Sequence, residues 1–129
     1  MKNYVILLAT DDSAVEAVVK AMGTNAECEL NCVKTSREAV SMVMDGSWSH
    51  DVMVVDMDLP EGGRMLLRTA GGTLPVIAIA GSKPKPWLSS MLRHRRIGAT
   101  VTKPVSPEKL RDAFQRVRSI SGIEAQRGN

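Results

Sequence analysis

The chain has 129 residues, of which 43% are hydrophobic and 24% charged, and its net charge is +3. This length and balance suit one domain with its own core, which must be largely aliphatic because only 3% of the residues are aromatic. No segment approaches the roughly 20 consecutive apolar residues that span a bilayer. The apolar run after Met1 is too short for a signal peptide. We therefore expect a cytoplasmic protein with no membrane segment.

Short apolar runs alternate with helical patterns along the chain. The predicted strands cover residues 4–9, 28–33, 52–55, 76–80 and 100–102, and the predicted helices cover residues 12–22, 35–46, 62–70, 86–97 and a segment that begins at Pro107. Strands that alternate with helices favour a parallel sheet with right-handed crossovers and helices on both faces. The alternating pattern of residues 28–33 is typical of a half-exposed edge strand.

Local signals mark buried helix faces and helix starts. Apolar residues at helical spacing predict buried faces at Val15, Val18, Val19 and Met22 in the first helix, and at Leu110, Ala113, Phe114 and Val117 in the last. Thr35 with Glu38 is a capping-box pattern, and Ser106 is a favourable N-cap for the last helix.

The cysteines and histidines do not indicate a metal site. Cys28 and Cys32 fall on one face of a predicted strand about 13 Å apart, which is too far for a disulfide. The chain offers only His50 and His94 as further ligands of this kind. Both cysteines are therefore expected as free thiols.

Charged side chains follow three of the predicted strands. Asp11 and Asp12 come after the first strand, Asp56 after the third and Lys103 after the fifth. The carboxyl ends of parallel strands form the ligand-binding edge of a sheet, so we expect these groups to converge there. One of the pair Asp11 and Asp12 is also expected to cap the first helix.

The chemistry of this predicted cluster favours phosphoryl transfer. Clustered carboxylates repel each other unless a cation lies among them, and hard oxygen ligands select Mg²⁺. A carboxylate can attack phosphorus when its own charge and that of the incoming group are neutralised, which Mg²⁺ and Lys103 together would do. The sequence therefore predicts Asp56 as a phosphate-accepting carboxylate.

Four short motifs lie at the ends and starts of the predicted strands. They are Asp11-Asp12, Val54-Val55-Asp56 followed by Leu59-Pro60, Leu74-Pro75, and Thr102-Lys103-Pro104. In their order and spacing they resemble bacterial response-regulator receiver domains, including the single-domain chemotaxis type, over residues 4 to about 119. The resemblance implies an α/β, flavodoxin-like (βα)5 three-layer sandwich with strand order 2-1-3-4-5. Residues 1–120 would form the receiver domain, and residues 121–129 a polar tail or the start of a linker.

The resemblance also implies roles for individual residues. Asp12 and Asp56 would bind Mg²⁺ directly, Asp11 through water and Asp58 through its backbone carbonyl, while Lys103 would be the counter-ion of the phosphoryl group. Such domains take the phosphoryl group from a histidine kinase or phosphotransfer protein and hydrolyse it slowly, so they are phosphoacceptors rather than turnover enzymes. Output would be by protein–protein interaction.

This sequence departs from the family pattern at two switch positions. Ala80 stands where the family usually has Thr or Ser, and Thr100 where it usually has an aromatic residue; Ser82 is a nearby substitute hydroxyl. One alternative is therefore a degenerate receiver that acts as a phosphorylation-independent binding module. Another is a haloacid-dehalogenase-type phosphatase, suggested by the Asp56-Met57-Asp58 spacing, although its motif belongs on a first strand.

Basic residues surround the fourth predicted helix. They are Lys83, Lys85, Arg93, Arg95 and Arg96. One interpretation is that these residues form a solvated helix end. The other is that they belong to a surface, formed by helix four, strand five and helix five, that binds an acidic partner or a second copy of the chain. No DNA-binding module fits in the remaining residues, so no nucleic acid is expected to bind this domain.

Overall fold

A computed structural model describes residues 4–25, 28–45, 50–59, 74–81 and 97–128, with only the main chain described for 23–25 and 118–128. The elements are β1 (Tyr4–Ala9), α1 (Ser13–Asn25), β2 (Cys28–Val33), α2 (Ser36–Asp45), β3 (Val52–Asp56), β4 (Val76–Ala80), β5 (Ala99–Thr102) and α3 (Pro107–Gly128). The helices predicted at 62–70 and 86–97 lie outside the described residues, apart from Ile97. Ser82 and the basic residues of segment 83–96 also lie outside them.

The five strands form one parallel sheet, as the alternating pattern predicted, and their order β2-β1-β3-β4-β5 is the one that the resemblance implied. Ala9 at the end of β1 pairs with Val55, and Asp56 at the end of β3 pairs with Ile79. The next residues along β1 and β4 are Thr10 and Ala80. The residues that flank Asp56 at this edge of the sheet are therefore fixed by the register.

Apolar side chains cover both faces of the sheet, because side chains of the inner strands β1, β3 and β4 alternate between two core clusters. One cluster joins the sheet to α1 and α3, and the other joins it to α2. The predicted inner faces are confirmed: Val15, Val19, Leu110, Ala113, Phe114 and Val117 are buried, and Val18 and Met22 are partly buried against them. β2 is an edge strand, and neither of its two cysteines forms a disulfide within the part of the chain that the structure describes.

Each helix that the structure describes begins at a side chain that accepts a hydrogen bond from its first turn. Asp12 Oδ1 accepts from the backbone N–H of Ala14, and Thr35 Oγ1 accepts from the N–H of Glu38. Ser106 Oγ accepts from the N–H of Lys109. These caps place the N-terminal boundaries where the sequence predicted them within one residue.

The last helix, α3, continues to Gly128 and therefore includes most of the segment predicted as a polar tail. Among the helices that the structure describes, none combines the length and the apolar character needed to cross a bilayer.

Candidate functional site

The ammonium group of Lys103 lies among three carboxylates at the carboxyl edge of the sheet. Its Nζ is 3.0 Å from Asp12 Oδ2, 3.1 Å from Asp56 Oδ2 and 3.1 Å from Asp58 Oδ2. The backbone N–H of Lys103 donates to the carbonyl of Ala80, which continues the β4–β5 pairing by one residue and brings the lysine to this edge. The convergence of Asp12, Asp56 and Lys103 that the strand ends predict is therefore present, and the side chain of Asp58 joins it.

Asp56 is fully buried, at 0% exposure. Its Oδ2 accepts hydrogen bonds from Thr10 Oγ1 at 2.7 Å and contacts Lys103, while its Oδ1 accepts from the backbone N–H of Asp58 at 3.0 Å. A carboxylate offers about four lone-pair positions, so three are used by these contacts. Burial of a carboxylate is costly unless it is hydrogen-bonded and paired, and this set of partners supplies both.

Thr10 is the site residue that sequence reasoning missed. It is 1% exposed, donates to Asp56 Oδ2 and accepts from the backbone N–H of Asp12 at 3.0 Å. The available signal is a polar residue at the end of an otherwise apolar strand, directly before the acidic pair. Such a side chain lies at the functional edge of a parallel sheet.

Asp12 both caps α1 and belongs to the charged cluster. One carboxylate oxygen accepts from the first turn of α1, and the other contacts Lys103. The hydrogen bond from Lys103, followed by that from the Ala14 N–H, lowers the pKa of Asp12. Desolvation alone would lower the pKa of Lys103, but its hydrogen bonds to Asp12, Asp58 and Asp56 raise that pKa overall. Lys103 is consequently a permanent cation at this edge.

Asp58 reaches Lys103 across Gly81, the residue that follows β4. A Cβ atom built on Gly81 would collide with both carboxylate oxygens of Asp58. Glycine at this position therefore leaves the space in which the Asp58 carboxylate lies. The prediction from the family concerned the backbone carbonyl of Asp58, whereas the described contacts involve its side chain and its N–H.

The other predicted site residues lie outside this network. Asp11 is exposed, and the hydrogen bonds and ion pairs that hold the described cluster do not include it. Ala80 is half-buried at the end of β4, and Thr100 is half-buried on β5 in register with Ala78. The described hydrogen bonds and ion pair of Asp56 involve neither Ala80 nor Thr100.

The donor chemistry of the cluster suits a hard cation, since every side-chain ligand near Asp56 is an oxygen. Within the described residues, however, no three His, Cys, Asp or Glu side chains are grouped so as to hold a metal ion as they stand. The three carboxylates instead converge on the ammonium of Lys103. Entry of a metal ion would therefore require exchange of one cation for another.

Comparison with solved structures shows the fold. The CheY-like response regulator receiver domain protein from Methanospirillum hungatei JF-1 superposes with a TM-score of 0.81 at 20% identity, over 95% of this chain and 99% of that one. The signal receiver domain of an HD domain-containing protein from Pseudomonas fluorescens Pf-5 gives 0.81 at 16% identity, over 98% and 95%. The chemotaxis response regulator CheY4 of Vibrio cholerae gives 0.74 at 19% identity, over 90% and 99%. No family model and no curated protein matches the chain.

The chain thus has the fold of response-regulator receiver domains, over nearly its whole length. The flavodoxin-like architecture implied by the four sequence motifs is confirmed. At these sequence identities the structural similarity establishes the fold only, so the function must be argued from the residues of the site.

Proposed function

We propose that this chain is a phosphoacceptor receiver domain of two-component signal transduction, and that Asp56 takes a phosphoryl group from a phosphohistidine of a histidine kinase or phosphotransfer protein. The observation that carries the proposal is a fully buried carboxylate at the end of the central strand, 3.1 Å from a lysine ammonium. A structural carboxylate has little reason to be buried at the ligand-binding edge beside two further carboxylates, because like charges at this distance repel.

In the proposed reaction, a carboxylate oxygen of Asp56 attacks phosphorus in line with the leaving imidazole. The P–O bond of an acyl phosphate forms as the P–N bond to the donor histidine breaks, and the electron pair of that bond returns to the imidazole. Lys103 supports this step because its charge lies beside the acceptor and would offset the charge of the transferred phosphoryl oxygens. Hydrolysis of the acyl phosphate would return Asp56 to its starting state.

We further propose that Mg²⁺ binds at this edge, held by Asp12 and Asp56 directly, by the backbone carbonyl of Asp58 and by Asp11 through water. When bound, it would supply charge neutralisation for the carboxylates and the phosphoryl oxygens. The oxygen-only donor set supports this assignment. The ion pairs of Lys103 with the same carboxylates imply that the ammonium and the metal compete for them.

The proposed role is that of a cytoplasmic signalling module whose output is a protein–protein contact, not that of an enzyme with turnover. The face proposed for partner or homodimer contact is formed by the fourth predicted helix, β5 and α3. Its basic residues lie in the segment 83–96, outside the described residues. The net charge of +3 supports an acidic partner.

A second candidate is a receiver fold that binds partners without phosphorylation. It is favoured by Ala80, since an alanine at the end of β4 offers no hydroxyl to a phosphoryl group on Asp56. It is also favoured by Asp58, whose carboxylate already forms an ion pair with Lys103.

Intact mass before and after incubation with acetyl phosphate and saturating Mg²⁺ separates the two candidates. We expect the wild-type chain to gain the mass of one phosphoryl group and the isosteric Asp56→Asn variant to gain none. A wild-type protein that acquires no adduct would support the binding module, and an adduct on Asp56→Asn would place the acceptor elsewhere. Beryllofluoride binding, compared between the same two proteins, provides an independent measurement.

A further inference from the structure

Thr10 connects the acceptor carboxylate to the start of α1. Its hydroxyl accepts the N–H of Asp12 at 3.0 Å and donates to Asp56 Oδ2 at 2.7 Å. A hydroxyl has one proton, and a group that already accepts from an N–H cannot donate back to it. The proton of Thr10 is therefore directed at Asp56, and both side chains are at most 1% exposed.

We propose that Thr10 is a positioning residue for the phosphoacceptor: its hydroxyl fixes the plane of the Asp56 carboxylate. This inference rests on the proposed function of Asp56. The terminal torsion of an aspartate has a broad minimum, so packing alone does not fix the orientation of its two oxygens. Threonine suits the task because its branched side chain has few allowed rotamers.

Thr10 and the N–H of Asp58 hold different oxygens of Asp56 and carry no net charge. They can therefore keep their hydrogen bonds while Lys103 turns towards an incoming anion. The oxygen that attacks phosphorus stays aligned when the ammonium leaves its present position. Thr10 also connects Asp56 to the backbone N–H of Asp12, whose carboxylate caps α1.

Thr10 and Ala80 lie on opposite sides of Asp56 at the same edge of the sheet. β3 lies between β1 and β4, so the residues that follow or end these two strands flank Asp56 from opposite sides. On the β4 side, Ala80 has no hydroxyl, whereas on the β1 side Thr10 presents one directly to the carboxylate. The hydroxyl next to the proposed acceptor is thus contributed by Thr10, the residue that follows the neighbouring strand β1.

The test compares the full chain with Thr10→Val, which has nearly the same shape but no hydroxyl, and with Thr10→Ser, which retains the hydroxyl. The rate of phosphorylation by acetyl phosphate is measured at saturating Mg²⁺ and at a temperature where all three proteins are folded. We expect Thr10→Val to react about tenfold more slowly, as fits the loss of one hydrogen bond to a charged group, and Thr10→Ser to stay within about twofold of wild type. If Thr10→Val does not fold, Thr10→Ala is the variant without the hydroxyl.

The outcomes separate this inference from the proposed function. A wild-type protein that gains no phosphoryl group contradicts the function of Asp56 itself. A wild type that reacts, together with a Thr10→Val variant that reacts equally fast, contradicts only the role of Thr10. If Thr10→Ser is as slow as Thr10→Val, the methyl group and not the hydroxyl is responsible, and the inference is wrong.

Discussion

The carboxylate of Asp58 occupies the space beside Gly81 in which a Cβ atom would lie, so no larger residue could stand at position 81 without moving Asp58. The same carboxylate forms an ion pair with Lys103 at 3.1 Å. In the proposed reaction, a phosphoryl group on Asp56 would also have to contact Lys103, the ammonium beside that carboxylate. We therefore expect the Asp58 carboxylate to compete with the phosphoryl group for the same cation.

Removal of this competing charge is expected to speed phosphorylation. In the Asp58→Asn variant, we expect the rate of reaction with acetyl phosphate to rise about fivefold, the factor that corresponds to about 1 kcal/mol for a partly exposed charge pair. Asp112→Asn, which removes an exposed carboxylate from α3, is the charge-matched control. An unchanged or slower rate in Asp58→Asn would show that the carboxylate does not compete.

The contact with Gly81 predicts a coupling in stability. Gly81→Ala should lower the free energy of unfolding by about 1 kcal/mol in the wild-type background, because the added Cβ displaces the Asp58 carboxylate from Lys103. In an Asp58→Ala background the same substitution should cost little. Urea unfolding of the wild type, the two single variants and the double variant gives the coupling energy between the two positions, which we expect to exceed about 0.5 kcal/mol. Equal costs in the two backgrounds would mean that the collision is relieved without loss of the ion pair.

Lys103 is expected to stabilise the metal-free protein and to weaken metal binding. Lys103→Met leaves the buried charge of Asp56 uncompensated, so we expect the free energy of unfolding to fall by about 2 kcal/mol. This loss is smaller than that for a fully buried ion pair, because Asp12 and Asp58 are partly exposed. Thermal unfolding with increasing Mg²⁺ should then show a larger stabilisation of Lys103→Met than of wild type. Lys20→Met, which removes an exposed lysine from a helical ion pair, is the control. No response of either protein to Mg²⁺ would contradict the proposed metal site.

Two neighbouring hydroxyls at the start of α2 should have opposite effects on stability. Ser36 is 4% exposed, and within the described part of the chain its hydroxyl has no hydrogen-bond partner. Ser36→Ala removes this buried group and should raise the free energy of unfolding by about 1 kcal/mol. Thr35→Ala removes the N-cap and should lower it by about 1 kcal/mol. Denaturant unfolding measures both, and a loss in Ser36→Ala would indicate that its hydroxyl is hydrogen-bonded in solution.

The stability of the fold should decrease on mild acidification because of His50. Its Nε2 is 3.2 Å from Asn31 Nδ2, and burial lowers the pKa of His50 despite the opposing effects of Asp51 and Glu29. The unfolded chain, with a histidine pKa of about 6.5, then binds more protons than the folded one, so this contribution is present above about pH 6.5 and is lost as the pH falls below it. Unfolding curves between pH 7.5 and about 5.5 should show the decline in wild type and a weaker one in His50→Gln. Parallel curves for the two proteins would contradict this assignment.

Most of the fold follows from short-range patterns in the sequence. The bounds of β1, β2 and β4 were predicted to the residue, since their apolar or alternating runs are bounded by polar residues or, for β4, by proline and glycine. The convergence of Asp12, Asp56 and Lys103 follows from the rule that parallel strands present their carboxyl ends at one edge. β3 extends one residue beyond the predicted strand because its ladder continues to Asp56.

The finer features of the site depend on relationships that no local pattern contains. The hydrogen bond from Thr10 to Asp56 joins residues 46 apart and exists only because of the register between β1 and β3. The position of the Asp58 carboxylate depends on Gly81, which directly follows β4 and is distant from Asp58 in the sequence. Strand register and side-chain rotamer are set by tertiary packing, so sequence reasoning could place the acidic edge but not the partners of each oxygen.

All five residues of β3 are buried, and the strand is hydrogen-bonded on both sides. The main chain of Asp56 is thus immobilised when the protein folds, and the conformational entropy of placing the nucleophile is lost in that step. In the proposed reaction, a phosphodonor would therefore meet an acceptor whose position is already determined. We expect the activation barrier to such a transfer to contain little ordering of Asp56 itself and to consist mainly of bringing the donor into line with it.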